Sequence, residues 1–199
     1  MRQDQEVRRR ALIEATLESL AEKGLGAVSV RDVARRAGVT PGLITHHFGT
    51  FAALLAAAYA QATARVDAVL DAALAEAGSD PERRMDAFLR ASFSPEIVDR
   101  SLLAAWIGFW GMVRTDPQAA AIHADNYAAY RKRIEDLLTA LAARRGRKVG
   151  AKAGAVGLTA MLDGLWLELC LDPNSFTVAE AIQITGAFVD GYIDRAPPV

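Results

Sequence analysis

The amino-acid sequence predicts an all-α protein of about nine helices, and three features of the sequence support that fold class. Apolar residues recur every three or four positions along most of the chain, as they do on one face of an α-helix. Alternating runs of β-branched residues, which indicate strands, are few, while alanine is abundant. Pairs of a capping residue and a proline mark helix starts at Thr40-Pro41, Asp80-Pro81 and Asp116-Pro117.

Composition and charge narrow the class of protein further. The chain has 199 residues, enough for one sizeable core and a small second domain, and its formal charge is -1. Residues 1–60 contain 8 lysines and arginines against 6 acidic residues, an asymmetry too mild to identify a polyanionic partner by itself. The single cysteine, Cys170, excludes an intramolecular disulfide. The N-terminus lacks the apolar core of a signal peptide and no run approaches ~18 apolar residues, so we expect a cytoplasmic protein without a membrane span.

The first helix is expected from Glu6 to Lys23, because apolar residues keep helical spacing there and Gly24 follows. Three consecutive arginines, at positions 8–10, lie near its start. They are compatible with a solvent-exposed face and also with contacts to phosphate groups.

Residues 29–48 contain the signals of two short helices joined by a tight turn. Ser29 is a good N-cap for the first helix, and Gly38 follows its last residues, where a left-handed backbone conformation is favoured. Thr40 and Pro41 then begin the second helix. Two helices with this connection form a helix-turn-helix, whose second helix enters the major groove of DNA.

Further helices are expected after this motif, since runs of period 3.6 alternate there with turn signals. The first of them joins the motif to the rest of the chain, and the third is expected to begin at a Ser-Pro pair. Their expected bounds are Phe51 to about Ala77, Pro81 to Phe93, Ser94 to about Val113 and Gln118 to about Arg145.

The last two helices, Lys152–Leu171 and Thr177–Asp194, are apolar on more sides than one core requires. We therefore expect them to pack against their copies in a second subunit as a four-helix bundle, which makes an isologous homodimer. The alternative is a buried helical hairpin inside one large monomer core.

Several short runs match a known family of proteins. They are Ala34–Val39, Gly42–Ile44, His47–Phe48 and Leu54–Leu55. Together they resemble the TetR family of bacterial repressors. Within that family, a second set is similar to the choline-responsive repressors of glycine-betaine synthesis: Arg8–Ile13, Ile44–Phe48, Ala105–Trp110 and Asp163–Leu167.

The resemblance implies a helix-turn-helix DNA-binding domain at residues 1–50 and a helical effector-binding and dimerisation domain at residues 51–199. It implies a dimeric, ligand-responsive regulator, most often a repressor, that leaves a palindromic operator when a small molecule binds. One helix-turn-helix contacts about four base pairs, so two copies on a twofold axis are needed to select a site on double-stranded DNA.

The candidate DNA contacts divide by their chemistry. Arg31 is a long bidentate donor suited to a guanine edge. Hydroxyl and imidazole groups can donate to phosphates, while proline, leucine and a threonine methyl suit thymine methyl groups. Gly42 lets the backbone approach a base closely. The full set is Ser29, Arg31, Thr40, Pro41, Gly42, Leu43, Thr45, His46 and His47.

One position departs from the family pattern. Phe51 stands where a lysine that meets a phosphate is usual, so we expect either a lower DNA affinity or a salt dependence smaller by about one phosphate contact. The adjacent His46 and His47 raise metal binding as an alternative. Neighbouring side chains on a helix point about 100° apart and seldom share one ion, so no metal is expected.

The C-terminal part carries the candidate effector residues, which are Trp106, Phe109, Trp110, Asp163 and Trp166. Aromatic faces attract quaternary ammonium groups, and a carboxylate on an apolar helix requires a partner. A quaternary ammonium such as choline is therefore one candidate effector. The alternative is that the aromatic residues fill the core and that Asp163 pairs with an arginine across the dimer.

A different class of function, a small-molecule-binding helical module or an enzyme without a DNA role, has less support. The sequence shows no nucleophile–base pair, no metal-ligand spacing and no phosphate-binding glycine loop. We expect no catalytic residue and no cofactor, and a transcriptional regulator is the preferred interpretation.

Overall fold

The computed structural model describes residues 2–197, and the side chains of all of these except residues 2–4, 25, 100 and 101. Within that range the regular structure consists of nine α-helices and one short 3-10 helix, without a β-strand. The predicted all-α fold is confirmed. The α-helices are α1 Arg2–Lys23, α2 Val30–Arg36, α3 Pro41–Phe48, α4 Phe51–Glu76, α5 Pro81–Ser92, α6 Arg100–Val113, α7 Pro117–Arg144, α8 Ala151–Leu171 and α9 Val178–Asp194.

The start of helix α6 differs from the prediction. The expected start at Ser94 is wrong, because residues 94–98 form a separate turn in which the Val98 N–H donates to the Ser94 carbonyl at 2.8 Å. The helix begins at Arg100 instead. Asp99 caps it, since its Oδ1 accepts from the Leu102 N–H at 3.1 Å. A Ser-Pro pair favours a turn as well as a helix start, and here the carboxylate cap decides where the helix begins.

The chain forms two compact units. Unit 1 contains Met1–Arg65 and Asp99–His123, and unit 2 contains Val66–Val98 and Ala124–Val199. The boundary falls inside helices α4 and α7, so each of these helices contributes to both units. The predicted functional boundary at residue 50 stays a prediction.

Unit 1 is built around α1, which packs against α2 and α6, while α2 packs against α3. Arg36 of α2 pairs with Glu18 of α1 at 3.2 Å and also with Glu22, so α2 is tied to α1 by charge as well as by apolar contacts. The buried side chains of this core include Leu12, Leu17, Val33, Ala34, Ile44, Leu54, Tyr59, Leu102 and Phe109.

Unit 2 is built from the C-terminal helices, with α9 packed against both α5 and α8. Arg145 crosses these helices: it binds both carboxylate oxygens of Glu82 at 2.7 Å and Asp190 at 2.9 Å. A Cβ atom at Gly154 of α8 would lie 2.6 Å from Cε1 of Tyr192, so glycine at this position lets the Tyr192 ring of α9 lie against α8.

Helix α8 is apolar enough for its length to pass a membrane-span test, and the bent pair of α3 and α4 passes it jointly. In the most apolar 18-residue segment of α8, 39% is buried inside the protein. The helix also carries Asp163 in its middle. Packing on one face therefore accounts for part of the apolar character of α8.

Candidate functional site

Helix α3 is anchored by one side chain and leaves the opposite side open. Ile44 is 1% exposed and fixes the helix in the core of unit 1. Leu43 and His47 are half-buried beside it. Among the predicted contact residues at positions 40–47, the exposed ones are Thr40, Pro41, Gly42, Thr45 and His46. These exposed residues share one surface of α3, and their contact with DNA stays a prediction.

Helix α2 begins with a reciprocal cap that engages Ser29. The Ser29 hydroxyl donates to Asp32 Oδ2 at 2.6 Å and accepts from the Asp32 N–H at 3.3 Å. The serine thus holds the first turn of α2 in place, and its contact with a phosphate stays a prediction. Arg31 lies exposed in this same turn.

Asp32, the acidic neighbour of Arg31, is neutralised by cations. Lys23 Nζ donates to Asp32 Oδ1 at 2.6 Å, and Arg35 donates to the same oxygen at 2.8 Å. The hydrogen bonds from Lys23 and Ser29 lower the pKa of Asp32 to about 2. The carboxylate stays ionised and paired at neutral pH, so it adds little repulsion for a polyanion at this surface.

Arg9 of α1 reaches the end of α3. Its guanidinium carbon lies 5.1 Å from the centroid of the Phe48 ring, within cation–π distance. Phe51, where the sequence pattern lacks the usual lysine, is the first residue of α4 and is half-buried. A cation from α1 is therefore held close to the residues that precede this position.

The glycines in and before α3 should respond oppositely to alanine. Gly38 has φ +66°, so Gly38→Ala is expected to cost about 1–2 kcal/mol of unfolding free energy. Gly42 lies within helix α3, and a Cβ atom there would meet no other atom within 4 Å. Gly42→Ala should therefore raise the unfolding free energy by roughly 0.5–1 kcal/mol. The same methyl lies on the reading face, so operator affinity should fall. Denaturant titration measures the unfolding free energies of the two variants, and DNA titration measures the operator affinity. Equal destabilisation by Gly38→Ala and Gly42→Ala would contradict this account.

Two of the predicted effector residues belong to an aromatic cluster of unit 1. Phe109 stacks on Tyr59 with ring centroids 3.6 Å apart, and Trp106 meets Tyr59 edge-on at 5.2 Å. Phe109 is only 3% exposed, so its ring serves mainly as core. The indole N–H of Trp110 is buried with no hydrogen-bond partner in the described part of the chain. Such a donor costs about 1–3 kcal/mol unless an acceptor reaches it.

Asp163 forms a half-buried anionic site in unit 2. The Tyr127 hydroxyl donates to Asp163 Oδ2 at 3.1 Å, and Arg131 lies 5.5 Å from the centroid of the Tyr127 ring. Burial raises the pKa of Asp163 to about 6, although the Tyr127 hydrogen bond and the Arg131 charge oppose the rise. Near neutral pH this carboxylate is mostly charged but poorly solvated, so a cationic ligand would stabilise it.

Trp166 lies about one turn from Asp163 on α8 and is 9% exposed. Its indole N–H donates to the Ile97 carbonyl at 2.8 Å, which fixes the ring. A role of this ring in binding a cation stays a prediction.

The structure brings the predicted effector residues together in two groups. Asp163 and Trp166 are neighbours on α8 of unit 2, and Trp106 and Phe109 share the cluster in unit 1. Sequence analysis did not identify Arg131, whose only signal was its spacing of one turn from an aromatic residue on α7. In the described chain, no group of three His, Cys, Asp or Glu side chains converges as metal ligands would.

Comparison with protein families gives two matches. Residues 12–58 match the family described as bacterial regulatory proteins of the tetR family. Residues 81–194 match the C-terminal domain of the BetI-type transcriptional repressors. The two matches cover the helix-turn-helix and the helices that carry Asp163 and the candidate dimer surface.

Individual relatives agree with these families. The chain is 31% identical over 190 residues to the HTH-type transcriptional regulator BetI of Escherichia coli O127:H6, covering 95% of each chain. A protein of Pseudomonas aeruginosa PAO1 assigned as a transcriptional regulator superposes with TM-score 0.88 at 41% identity, covering 96% of this chain and 92% of that one. A regulator of Saccharomonospora viridis, solved in complex with choline, has TM-score 0.77 at 21% identity and coverages of 92% and 95%.

Proposed function

This chain belongs to the TetR family of bacterial regulators and has a BetI-type repressor domain, and from this premise we propose that its homodimer represses transcription at a palindromic operator and is released by a small quaternary ammonium. Its family and relatives are transcriptional regulators and not enzymes. The observation that carries the proposal is the exposed face of α3 opposite the buried Ile44. The protein acts on DNA in the cytoplasm.

The DNA-reading roles follow from exposure and chemistry. Arg31 donates to a guanine edge, since it is exposed next to a neutralised Asp32. The α3 face supplies apolar contacts to thymine methyl groups and hydroxyl or imidazole donors to phosphates. Arg9, beside Phe48, supplies a phosphate contact near the position where Phe51 replaces the usual lysine.

The dimer surface is the outward side of α8 and α9. Six large apolar side chains are markedly exposed in the described chain, and four of them lie on these helices: Val156, Leu171, Val178 and Ile184. Large exposed apolar side chains concentrated on two packed helices support an interaction site there. An isologous bundle of α8, α9 and their copies buries it and sets the separation of the two reading faces.

The effector binds at Asp163. A quaternary ammonium cannot donate a hydrogen bond, so it is recognised by charge and by aromatic faces. The half-buried carboxylate supplies the charge, while Tyr127 and Trp166 supply aromatic groups close to it on α7 and α8. The choline found in the Saccharomonospora viridis regulator, which has this fold, is the reason for choosing choline as the first ligand to test.

Release follows from a shift between two arrangements of the dimer. A ligand moves such an equilibrium only by its difference in affinity for the two states. The effector therefore favours an arrangement whose reading faces no longer match the half-site spacing, about 34 Å or a multiple of it.

Footprinting on the DNA that flanks the gene tests the proposal. We expect an inverted repeat to be protected at modest salt and to lose protection when millimolar choline is added. Absence of a protected inverted repeat would remove the repressor proposal. Protection that choline leaves unchanged would remove only the effector assignment.

Asp163 should make choline binding depend on pH. The pKa of Asp163 in the folded protein is about 6, against a usual 3.8. Between pH 4 and 6 the native state therefore holds a proton that the unfolded state has lost, and the stability of the protein declines as pH rises from about 4 to 6. Choline requires the ionised form, so its affinity should rise about tenfold between pH 5 and 7.

Asp163→Asn should abolish that pH dependence, weaken choline at least about tenfold and raise the unfolding free energy at pH 7 by about 1–3 kcal/mol. Calorimetric titration and denaturant unfolding measure these effects. Asp125→Asn, an exposed carboxylate of α7, is the matched control and should change neither quantity. A choline affinity in Asp163→Asn equal to that of the wild type would place the effector elsewhere.

A further inference from the structure

Arg133 of α7 binds two carboxylates of α4. Its Nη1 lies 2.8 Å from Asp67 Oδ1 and its Nη2 lies 3.0 Å from Asp71 Oδ1. The arginine side chain is 24% exposed, so these contacts are partly shielded from water. Asp67 and Asp71 are one turn apart, so a single planar guanidinium holds the same face of α4 at two successive turns.

The same stretch of α7 faces Asp163. The Tyr127 hydroxyl donates to the Asp163 carboxylate, and Tyr130 lies one turn further along α7. Burial raises the pKa of the Tyr130 phenol, and the charge of Asp163 raises it further. The charges of Arg133 and Asp67 also act on this phenol, in opposite directions. Tyr130 therefore lies within the fields of both the Asp163 site and the Arg133 contacts.

Helix α4 carries any change at residues 67–71 toward its own beginning. It is continuous from Phe51 to Glu76, and Phe51 follows the last residue of α3 after a short break. The segment of α4 that Arg133 contacts thus belongs to the same continuous helix that starts after α3 in the chain.

We infer that Arg133 is a positioning residue that couples the charge state of the Asp163 site to α4, and through α4 to operator binding. Neutralising Asp163 weakens the charge-assisted hydrogen bond that joins Tyr127 of α7 to α8, so the preferred position of α7 changes. Arg133 conveys that change because it joins α7 to two successive turns of α4. The link to an effector rests on the proposed function, whereas the coupling between Asp163 and α4 lies within unit 2 and requires no ligand.

A double-mutant cycle read by hydrogen exchange tests the coupling. Amide exchange of residues 66–76 is measured by mass spectrometry in the wild type, Asp163→Asn, Arg133→Gln and the double variant. With Arg133 present, Asp163→Asn should change exchange in this segment by at least about fivefold. With Arg133→Gln, the same neutralisation should change it by less than about twofold.

Controls separate coupling from a loss of structure. Asp67→Asn combined with Asp71→Asn removes the partners on α4 and should abolish the response to Asp163→Asn as Arg133→Gln does. Arg90→Gln removes an exposed arginine that pairs with Asp86 on α5, and should leave the response intact. A response to Asp163→Asn that is equal with and without Arg133, or absent in both backgrounds, would overturn the inference.

The effect of Arg133 on function is measured as the change in operator affinity when choline chloride is added. In the wild type, choline should lower operator affinity by about 5–150-fold, and in Arg133→Gln by less than about twofold, with choline affinity kept. If choline does not bind the wild type while the exchange cycle behaves as described, the effector assignment fails and the coupling stands. If choline releases Arg133→Gln as it releases the wild type, the role of Arg133 is refuted.

Discussion

Ile184→Glu is expected to convert the dimer into folded monomers and to lower operator affinity by at least about 100-fold. Ile184 is 44% exposed in the single chain, so a glutamate there leaves the core of unit 2 unchanged. In an isologous interface the change occurs twice, and each buried unpaired charge costs about 3–5 kcal/mol. A monomer then presents one reading face, and the second half-site contributes nothing to its affinity.

Sedimentation and DNA titration measure the two effects of Ile184→Glu. Val156→Glu, on the exposed side of α8, should behave in the same way. Ile107→Glu introduces the same charge at an isoleucine of similar exposure, 48%, on α6 and should remain dimeric. A dimeric Ile184→Glu variant with full operator affinity would show that α9 does not form the subunit interface.

Arg31→Ala is expected to weaken operator binding by about 1–3 kcal/mol per half-site, which is a 5–150-fold loss of affinity. Because the dimer contacts two half-sites, its affinity falls by up to the square of that factor. The loss should be greatest for the operator and much smaller for random DNA, since a guanine contact contributes specificity. A single guanine replaced in each half-site should weaken the wild type and leave Arg31→Ala almost unaffected.

The control for Arg31→Ala is Arg90→Ala, which removes the same charge from an arginine whose side chain is 63% exposed on α5. It should keep operator affinity and specificity. If Arg31→Ala weakens operator and random DNA equally and reduces the salt slope by about one, Arg31 contacts a phosphate and not a base.

The helix-turn-helix could be predicted from sequence because its signals are local. Ser29, Gly38 and Pro41 act on neighbouring backbone groups, and the structure places the helix ends next to them. The start of α6 shows where such signals become ambiguous. Ser94-Pro95 and Asp99 are both cap candidates within a few residues, and only the observed bond from the Leu102 N–H to Asp99 distinguishes them.

The proposed effector site depends on contacts that are distant in sequence. The need of Asp163 for a partner was evident from its apolar helix, but Tyr127 is 36 positions away and no periodicity links the two residues. The same limit applies to Trp166, whose N–H binds a carbonyl 69 positions away. The packing of different helices decides which residue meets Asp163 and which carbonyl meets Trp166. Spacing along a single helix therefore predicts candidate residues but does not predict their partners.

The close approach of Tyr192 to Gly154 has a consequence for engineering. At this inner seam a methyl group on residue 154 requires the Tyr192 side chain to move. The outward positions Val156 and Ile184 are free of that constraint. Opposite charges placed there on two co-expressed copies would favour heterodimers over either homodimer. Such heterodimers, each copy carrying its own α3, would recognise asymmetric promoters and allow orthogonal genetic circuits from one scaffold.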